Sequence, residues 1–181
     1  MRNSQSLLSR RIILTTCILG WEKLPGLAAA LKSTSSALVD LDLSFNFIRS
    51  SGCEAIAQAL SFYNRTLRKL NMSYNRIDDI GGKSFALSLY TNTGLTGLIL
   101  VENDLSCVSA IAFGEALGRN TSLLTLDVSV NNIRAPGANA LEKALRRNST
   151  IAHLSLAGNA GALSLHAPTN ERDTRIRTEH D

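Results

Sequence analysis

The chain has little of several features that define other protein classes. Its 181 residues include three cysteines, three prolines and one tryptophan, and aromatic residues make up 5% of the total. An odd number of cysteines does not make a fully paired disulfide framework, and the absence of any C-x-x-C pair and of histidines near the cysteines in sequence argues against a zinc site. We therefore expect free thiols, no metal and a reducing compartment, the cytoplasm.

Long apolar runs and concentrated charge are also missing. The segment 12–19 follows Arg10 and Arg11 like a signal sequence, but its eight residues include two threonines and fall far short of the roughly 20 that span a bilayer. The formal net charge is only +4, with no long basic run and few aromatics, so we expect no nucleic-acid partner. No P-loop, G-x-G-x-x-G or H-E-x-x-H motif occurs, and the sequence predicts no cofactor.

What the chain does contain is one unit, repeated. Asparagine recurs at intervals of 29, 28, 28 and 28 residues, each time in a block that reads L-x-x-L-x-L-x-x-N-x-[IL]. The blocks begin at Leu38, Leu67, Leu95, Leu123 and Ile151. Within each block the leucines alternate with other residues, which predicts a short strand with one buried face. Downstream apolar residues at spacings of three and four, such as Ile56 and Leu60, predict a helix.

Two further observations complete the unit. Gly52, Gly81 and Gly137 stand just ahead of these helical runs, where we expect a loop to turn before the helix begins. One period upstream of the first block, the segment from Ile12 to Leu19 fits the same pattern with Cys17 in the asparagine position. We interpret this segment as a sixth repeat and not as a signal peptide.

These blocks resemble the leucine-rich repeat family, and the 28-residue unit with its helix resembles the ribonuclease-inhibitor-like class, as in NOD-like receptors and the Ran GTPase-activating protein. The resemblance implies an α/β fold, a right-handed solenoid or horseshoe segment of about six repeats. A parallel sheet lines its concave face and helices cover its convex face. A single repeat buries too little to fold alone, so adjacent repeats must stack.

The recurring polar position has a structural interpretation. An asparagine amide at the end of each strand can donate to and accept from backbone groups that the bend leaves unpaired. We expect a ladder of such side chains, formed by Cys17, Asn46, Asn75, Asn103, Asn131 and Asn159. Four N-x-[ST] sequons also occur, and three of them, at Asn64, Asn120 and Asn148, fall at the helix-to-strand turn. We interpret these as turn residues and not as glycosylation sites.

The repeats divide the chain into three parts. We assign residues 1–8 to an N-terminal extension, 9–165 to the solenoid and 166–181, which is polar and rich in charge, to a disordered tail. Neither end of the solenoid has a recognisable cap, so we expect its open ends to be a route to self-association unless a longer array or a partner covers them.

Partner-binding residues must lie at strand positions that the repeat does not dictate. Phe45, Tyr74, Ile99, Val101 and Val130 are apolar where a solvent-facing strand needs no apolar residue, and acidic residues surround them. Aromatic anchors inside a polar rim are typical of protein-binding hot spots. The predicted partner-binding residues are Asp40, Asp42, Phe45, Lys69, Asn71, Tyr74, Ile99, Val101, Glu102, Asp127, Val130 and His153.

The predicted function is therefore a non-catalytic protein-binding scaffold or adaptor, with a protein partner of unknown identity. The resemblance offers two alternatives, a GTPase-regulating protein and a sensor fragment of a NOD-like receptor. For the first, polar residues of the loops after the asparagines are the candidates, namely Arg49, Arg76, Asp78, Asp79 and Arg134.

Three residues admit an enzymatic interpretation as an alternative to the scaffold. Asp127, His153 and Ser155 fall on neighbouring predicted strands and resemble a catalytic triad in residue type. The sequence shows no oxyanion donors or pocket around them, so we predict that the chain is not an enzyme.

Overall fold

The structure is a computed structural model that describes residues 10–33, 37–160 and 176–177. Strands and helices alternate along the chain, and all strand pairs are parallel and follow sequence order. The strands are β1 (Arg11–Ile13), β2 (Asp40–Asp42), β3 (Lys69–Asn71), β4 (Gly97–Ile99), β5 (Thr125–Asp127), β6 (His153–Ser155) and β7 (Ile176–Arg177). The α-helices are α1 (Leu24–Lys32), α2 (Arg49–Phe62), α3 (Asp79–Leu89), α4 (Cys107–Leu117) and α5 (Ala135–Leu145), and a 3-10 turn, Trp21–Lys23, precedes α1.

The prediction of a leucine-rich-repeat solenoid of about six repeats is confirmed. Strands β1 to β6 each begin one repeat, and equivalent positions pair across the sheet, for example Leu41 with Leu70 and Leu70 with Leu98. The segment 12–19 contributes to β1 and the loop after it, as its assignment to a repeat requires. Of the predicted tail 166–181 the structure describes only β7, which pairs with β6, and the predicted extension 1–8 lies outside the described residues.

The core lies between the sheet and the helices. Each strand presents its fourth-position leucine inward, and Leu41, Leu70, Leu98, Leu126 and Leu154 are all completely buried. The helices contribute the largest buried side chains, Phe85 from α3 and Phe113 from α4. Because every strand has only three residues, the alternate strand residues are left on the open, concave side of the sheet.

The glycines at the helix starts have a different role from the one predicted. Gly52, Gly81 and Gly137 lie inside α2, α3 and α5 and not in a turn ahead of them. A Cβ atom on Gly81 would stand 2.6 Å from Cγ2 of Ile77 and 3.2 Å from Sγ of Cys53. The glycines therefore allow close packing of neighbouring repeats, a requirement that a sequence pattern does not distinguish from a turn.

The recurring asparagines clamp each repeat to the one before it. Asn75 donates from Nδ2 to the carbonyl oxygens of Met72 and Ser73 in its own repeat and of Leu43 in the preceding repeat. Its Oδ1 accepts from the Ile48 backbone N–H at 3.3 Å. Asn46, Asn103 and Asn131 make the equivalent bonds. Asn159 donates to the carbonyl oxygens of Val128 and Leu156 and accepts from the Ile133 N–H. At the first position, the Cys17 thiol is exposed and bonds within its own repeat, to the Thr15 carbonyl oxygen.

A second asparagine ladder runs along the helix-to-strand turns. Its members are buried and recur every 28 residues, at Asn64, Asn92, Asn120 and Asn148. Asn120, for example, donates to the carbonyl oxygens of Leu89 and Asn92 and accepts from the N–H groups of Ser122 and Leu123. These amides join the last carbonyls of one helix to the turn that follows the next helix. Their burial leaves none of the three turn sequons accessible to a glycosylating enzyme in the folded chain.

The helix starts are also tied across repeats, through Asp79. Its carboxylate accepts from the Ser106 N–H at 2.9 Å and the Ser109 N–H at 3.1 Å, and from both hydroxyl groups, at the start of α4. Partial burial alone would raise the pKa of Asp79, but these hydrogen bonds outweigh it and hold the pKa below its ordinary value. The first residue of α3 therefore caps α4.

This cap predicts a pH-dependent stability difference. Since the pKa of Asp79 is lowered on folding, its contribution is present above the unfolded-state value, about 4, and is lost as the pH falls through the folded value. Asp79→Asn should lower the free energy of unfolding by about 1 to 2 kcal/mol at pH 7. Urea unfolding should show this difference shrinking below about pH 4. Asp104→Asn, at an exposed carboxylate, is the control, and an equal loss in both variants would contradict the cap.

Candidate functional site

The twelve predicted partner-binding residues fall into adjacent rows on the concave side. One row, at the start of the strands, contains Asp40, Lys69 and His153; the next contains Asp42, Asn71, Ile99 and Asp127; beyond the strand ends come Val101 and then Phe45, Tyr74, Glu102 and Val130. All twelve side chains are exposed or half-buried. Neighbouring strands lie about 4.8 Å apart, so the rows form a continuous surface.

Part of this surface is occupied by bonds within the repeats. Asp42 Oδ1 accepts from the N–H and the hydroxyl of Ser44, at 2.9 and 2.7 Å. Asn71 with Ser73 and Asp127 with Ser129 repeat the arrangement. Asp42, Asn71 and Asp127, which the sequence predicts as partner-binding residues, therefore each also stabilise the bend at the end of their own strand.

The fourth repeat in the sheet departs from this pattern. Ile99 and Val101 replace the Asx and serine residues, and both side chains are half-buried. The Val101 N–H donates instead to the Ser73 hydroxyl of the preceding repeat, at 3.2 Å. The middle of the concave surface is therefore apolar between two repeats whose carboxylate or amide groups are internally bonded.

Aromatic side chains stand at the end of the strands beside this apolar middle. The rings of Phe45 and Tyr74 stack with their centroids 4.1 Å apart and their planes inclined by 10°. Both side chains remain substantially exposed, at 51% and 42%. The Arg76 guanidinium lies 5.3 Å from the centroid of the Phe47 ring, which extends the aromatic patch toward the helix side. A stacked and exposed aromatic pair offers a rigid apolar surface that loses little conformational entropy on binding.

The residues that precede the asparagine ladder share a left-handed backbone. Thr16, Phe45, Tyr74, Glu102 and Val130 have φ angles of 56°, 57°, 58°, 53° and 52°, and the equivalent residue in β6's repeat is Gly158 with φ 71°. This conformation suits glycine, and a β-branched residue such as Val130 is a marked outlier in it. Non-glycine residues persist at five of these six positions although glycine would relieve the backbone strain.

Within the described residues, the triad-like group lacks the hydrogen bonds that link a catalytic triad. Asp127, His153 and Ser155 do line one shallow cavity on the concave side. Asp127 and Ser155, however, are both hydrogen-bonded to Ser129, the latter at 2.6 Å between the two hydroxyl oxygens. Among the hydrogen bonds of the described residues, none joins the His153 ring to either partner.

The described residues also bear on metal binding, membrane spanning and thiol chemistry. No group of three or more histidine, cysteine or acidic side chains there is arranged to hold a metal ion. No helix within 10–33 and 37–160 has both the length and the apolarity to cross a membrane. Burial raises the pKa of the Cys53 thiol far above its ordinary value, which makes that cysteine a poor nucleophile.

Comparison with known proteins agrees with this geometry. A family model described as a leucine-rich repeat matches residues 34–57, 63–86 and 119–141, so leucine-rich repeats are present in the chain. Comparison with curated protein sequences gives no match. Among solved structures, the chain is similar to the actin-binding site 2 of leiomodin-1, with a TM-score of 0.59 and 21% identity over 75% of this chain and 76% of that one. At this identity the likeness concerns the fold.

Proposed function

We propose that this solenoid of leucine-rich repeats is a non-catalytic scaffold or adaptor that binds a protein partner on its concave face. The observation that carries the proposal is the exposed Phe45–Tyr74 stack beside the apolar break at Ile99 and Val101. The repeat itself requires none of these side chains. Serine, threonine or glycine occupies equivalent positions in other repeats, which form the same bend. A repeat period of 28 residues with a helix in each unit supports placing the solenoid in the ribonuclease-inhibitor-like class.

A paired set of variants tests the concave surface. Tyr74→Ala combined with Asp127→Asn removes one ring of the stack and one concave charge, while the asparagine retains the acceptor that Ser129 uses. We expect the pair to weaken partner capture at least tenfold, because hot-spot aromatics contribute about 2 kcal/mol or more. The measurement is quantitative affinity capture from native cells, with the same proteins compared between wild type and variant.

The control lies on the opposite side of the fold. Arg146, beyond the end of α5, forms an exposed salt bridge to Glu142 at 2.6 Å, and Arg146→Ala should cost little stability. Capture by this variant should match the wild type. If both variants lose the same partners to the same extent, the concave surface is not the binding site.

GTPase regulation is a weaker alternative. Of its candidate residues, Asp78 caps α3 by accepting from the Ile80 N–H at 2.8 Å, and Asp79 caps α4. Arg76 lies against the Phe47 ring. Because these three side chains have structural roles, Arg49 and Arg134 are the remaining candidates for contact with a GTPase. A GTP hydrolysis assay with small GTPases tests them. Acceleration would favour regulation over the scaffold.

Purified actin is a defined protein to test as a partner, because the similar solved structure is an actin-binding site. Co-sedimentation of the chain with actin filaments would decide whether actin is the partner.

The β1 edge exposes Ile13 at 55% and the following loop exposes Ile18 at 72%, which supports self-association through that edge. Light scattering over a range of concentrations should then show a dimer, and a constant monomer mass would rule it out.

We place the scaffold in the cytoplasm, an expectation that the three free thiols support and that imaging of a tagged chain would test.

A further inference from the structure

A small cavity opens beside the aromatic stack. It is lined by Tyr74, Arg76, Glu102, Asn103 and Asp104. The Tyr74 ring, which stacks on the Phe45 ring of the preceding repeat, is part of this lining. The lining therefore combines an aromatic side chain with two carboxylate side chains.

Those carboxylates are not neutralised. Glu102 and Asp104 are both exposed, and neither forms a salt bridge with any residue in the described ranges. The basic residue of the lining, Arg76, places its guanidinium 5.3 Å from the centroid of the Phe47 ring of the preceding repeat. An aromatic face and unpaired carboxylates both attract a cation, and they attract it more strongly once water is displaced.

The surrounding surface has the same sign. The concave rows and this cavity hold five acidic residues, Asp40, Asp42, Glu102, Asp104 and Asp127, against three basic ones, Arg11, Lys69 and Arg76. The whole chain has a formal net charge of +4, so the concave side is opposite in sign to the rest of the molecule. Charge complementarity therefore selects a basic partner over an acidic one.

We propose that the cavity formed by Tyr74, Glu102 and Asp104 receives a lysine or arginine side chain from an extended basic segment of a protein partner. Apolar residues that flank this cation in the segment pack on the Phe45–Tyr74 stack and on Val130. The inference rests on the proposed binding function of the concave face and specifies the chemistry of its partner.

Random peptides test the assignment without knowledge of the partner. A phage-displayed library of 12-residue peptides is panned on the immobilised full chain, and the selected peptides are then titrated against purified variants. We expect selected sequences to be enriched in lysine or arginine next to apolar residues. Glu102→Gln combined with Asp104→Asn should weaken their binding by about tenfold, as the loss of a cation–π-assisted charge contact implies.

Arg76→Gln is the sharpest control, because it should not lower the affinity for the selected peptides as the Glu102/Asp104 variant does. It removes the basic residue of the lining, so binding of the same peptides should be unchanged or up to several-fold tighter. Selected peptides that are neutral or acidic, or cationic peptides that bind the Glu102/Asp104 variant as well as the wild type, would overturn the assignment. If the selected peptides are neutral and only the Tyr74→Ala variant fails to bind them, the concave face is still a protein-binding surface, but the cavity does not receive a cation.

Discussion

Asn120→Ala should lower the free energy of unfolding by about 3 to 5 kcal/mol, although Asn120 lies in a turn far from the concave surface. Its amide donates to the Leu89 carbonyl oxygen at 2.8 Å, one of the last carbonyls of α3. Its Oδ1 accepts from the N–H groups of Ser122 and Leu123, at 3.0 and 2.8 Å. Alanine supplies none of these bonds, and the side chain is only 5% exposed, so water cannot simply replace it.

Urea unfolding followed by far-ultraviolet circular dichroism measures this loss. Asn132→Ala is the matched control, because Asn132 is an exposed asparagine in a neighbouring loop. It should change the free energy of unfolding by less than about 0.5 kcal/mol. A loss for Asn120→Ala no larger than that of Asn132→Ala would mean that the second ladder does not hold the repeats together.

Asn75→Ala in the first ladder should cost about 2 to 4 kcal/mol. Asn75 is completely buried, but the carbonyls that it serves keep other partners, since Asn46 also donates to Leu43 and Asn103 also donates to Met72. The larger penalty comes from the Ile48 N–H, which loses the Asn75 oxygen. We therefore expect a somewhat smaller effect than at Asn120.

Hydrogen exchange distinguishes this prediction from general destabilisation. The clamp joins the second and third strands, so Asn75→Ala should speed exchange first in the segment around Leu43 and Ile48. Exchange near Leu154, three repeats away, should change least. Uniform acceleration along the whole solenoid would show that the amide has no specific role between these repeats.

The fold was predictable because it depends on a pattern that recurs. Alternation of leucines placed Leu41, Leu70 and Leu98 on one face, and the structure buries all three completely. The same period could have revealed the second ladder, since Asn64, Asn92, Asn120 and Asn148 are each 28 residues apart. Three of them are recognisable in the sequence as turn residues because they carry an N-x-[ST] motif, whereas Asn92 lacks that motif and gives no such signal.

The concave surface was predictable only in part. Strand alternation indicated which side chains face the concave side, because that follows from the backbone. It did not indicate that Asp42 and Asp127 are hydrogen-bonded to serines two residues away, or that the helix glycines serve packing. The stacking of Phe45 on Tyr74 and the free carboxylates of the adjacent cavity depend on distances between repeats, which a one-dimensional pattern does not contain.

Site-specific photo-crosslinking tests the concave scaffold most directly. A photoreactive phenylalanine derivative in place of Tyr74 reports on the concave side, and the same residue in place of Leu87, which is 65% exposed on α3, reports on the convex side. If the concave face binds a protein partner, crosslinking in native cells should give discrete covalent adducts from position 74 and none from position 87. Adducts that form only from position 87 would contradict the proposal.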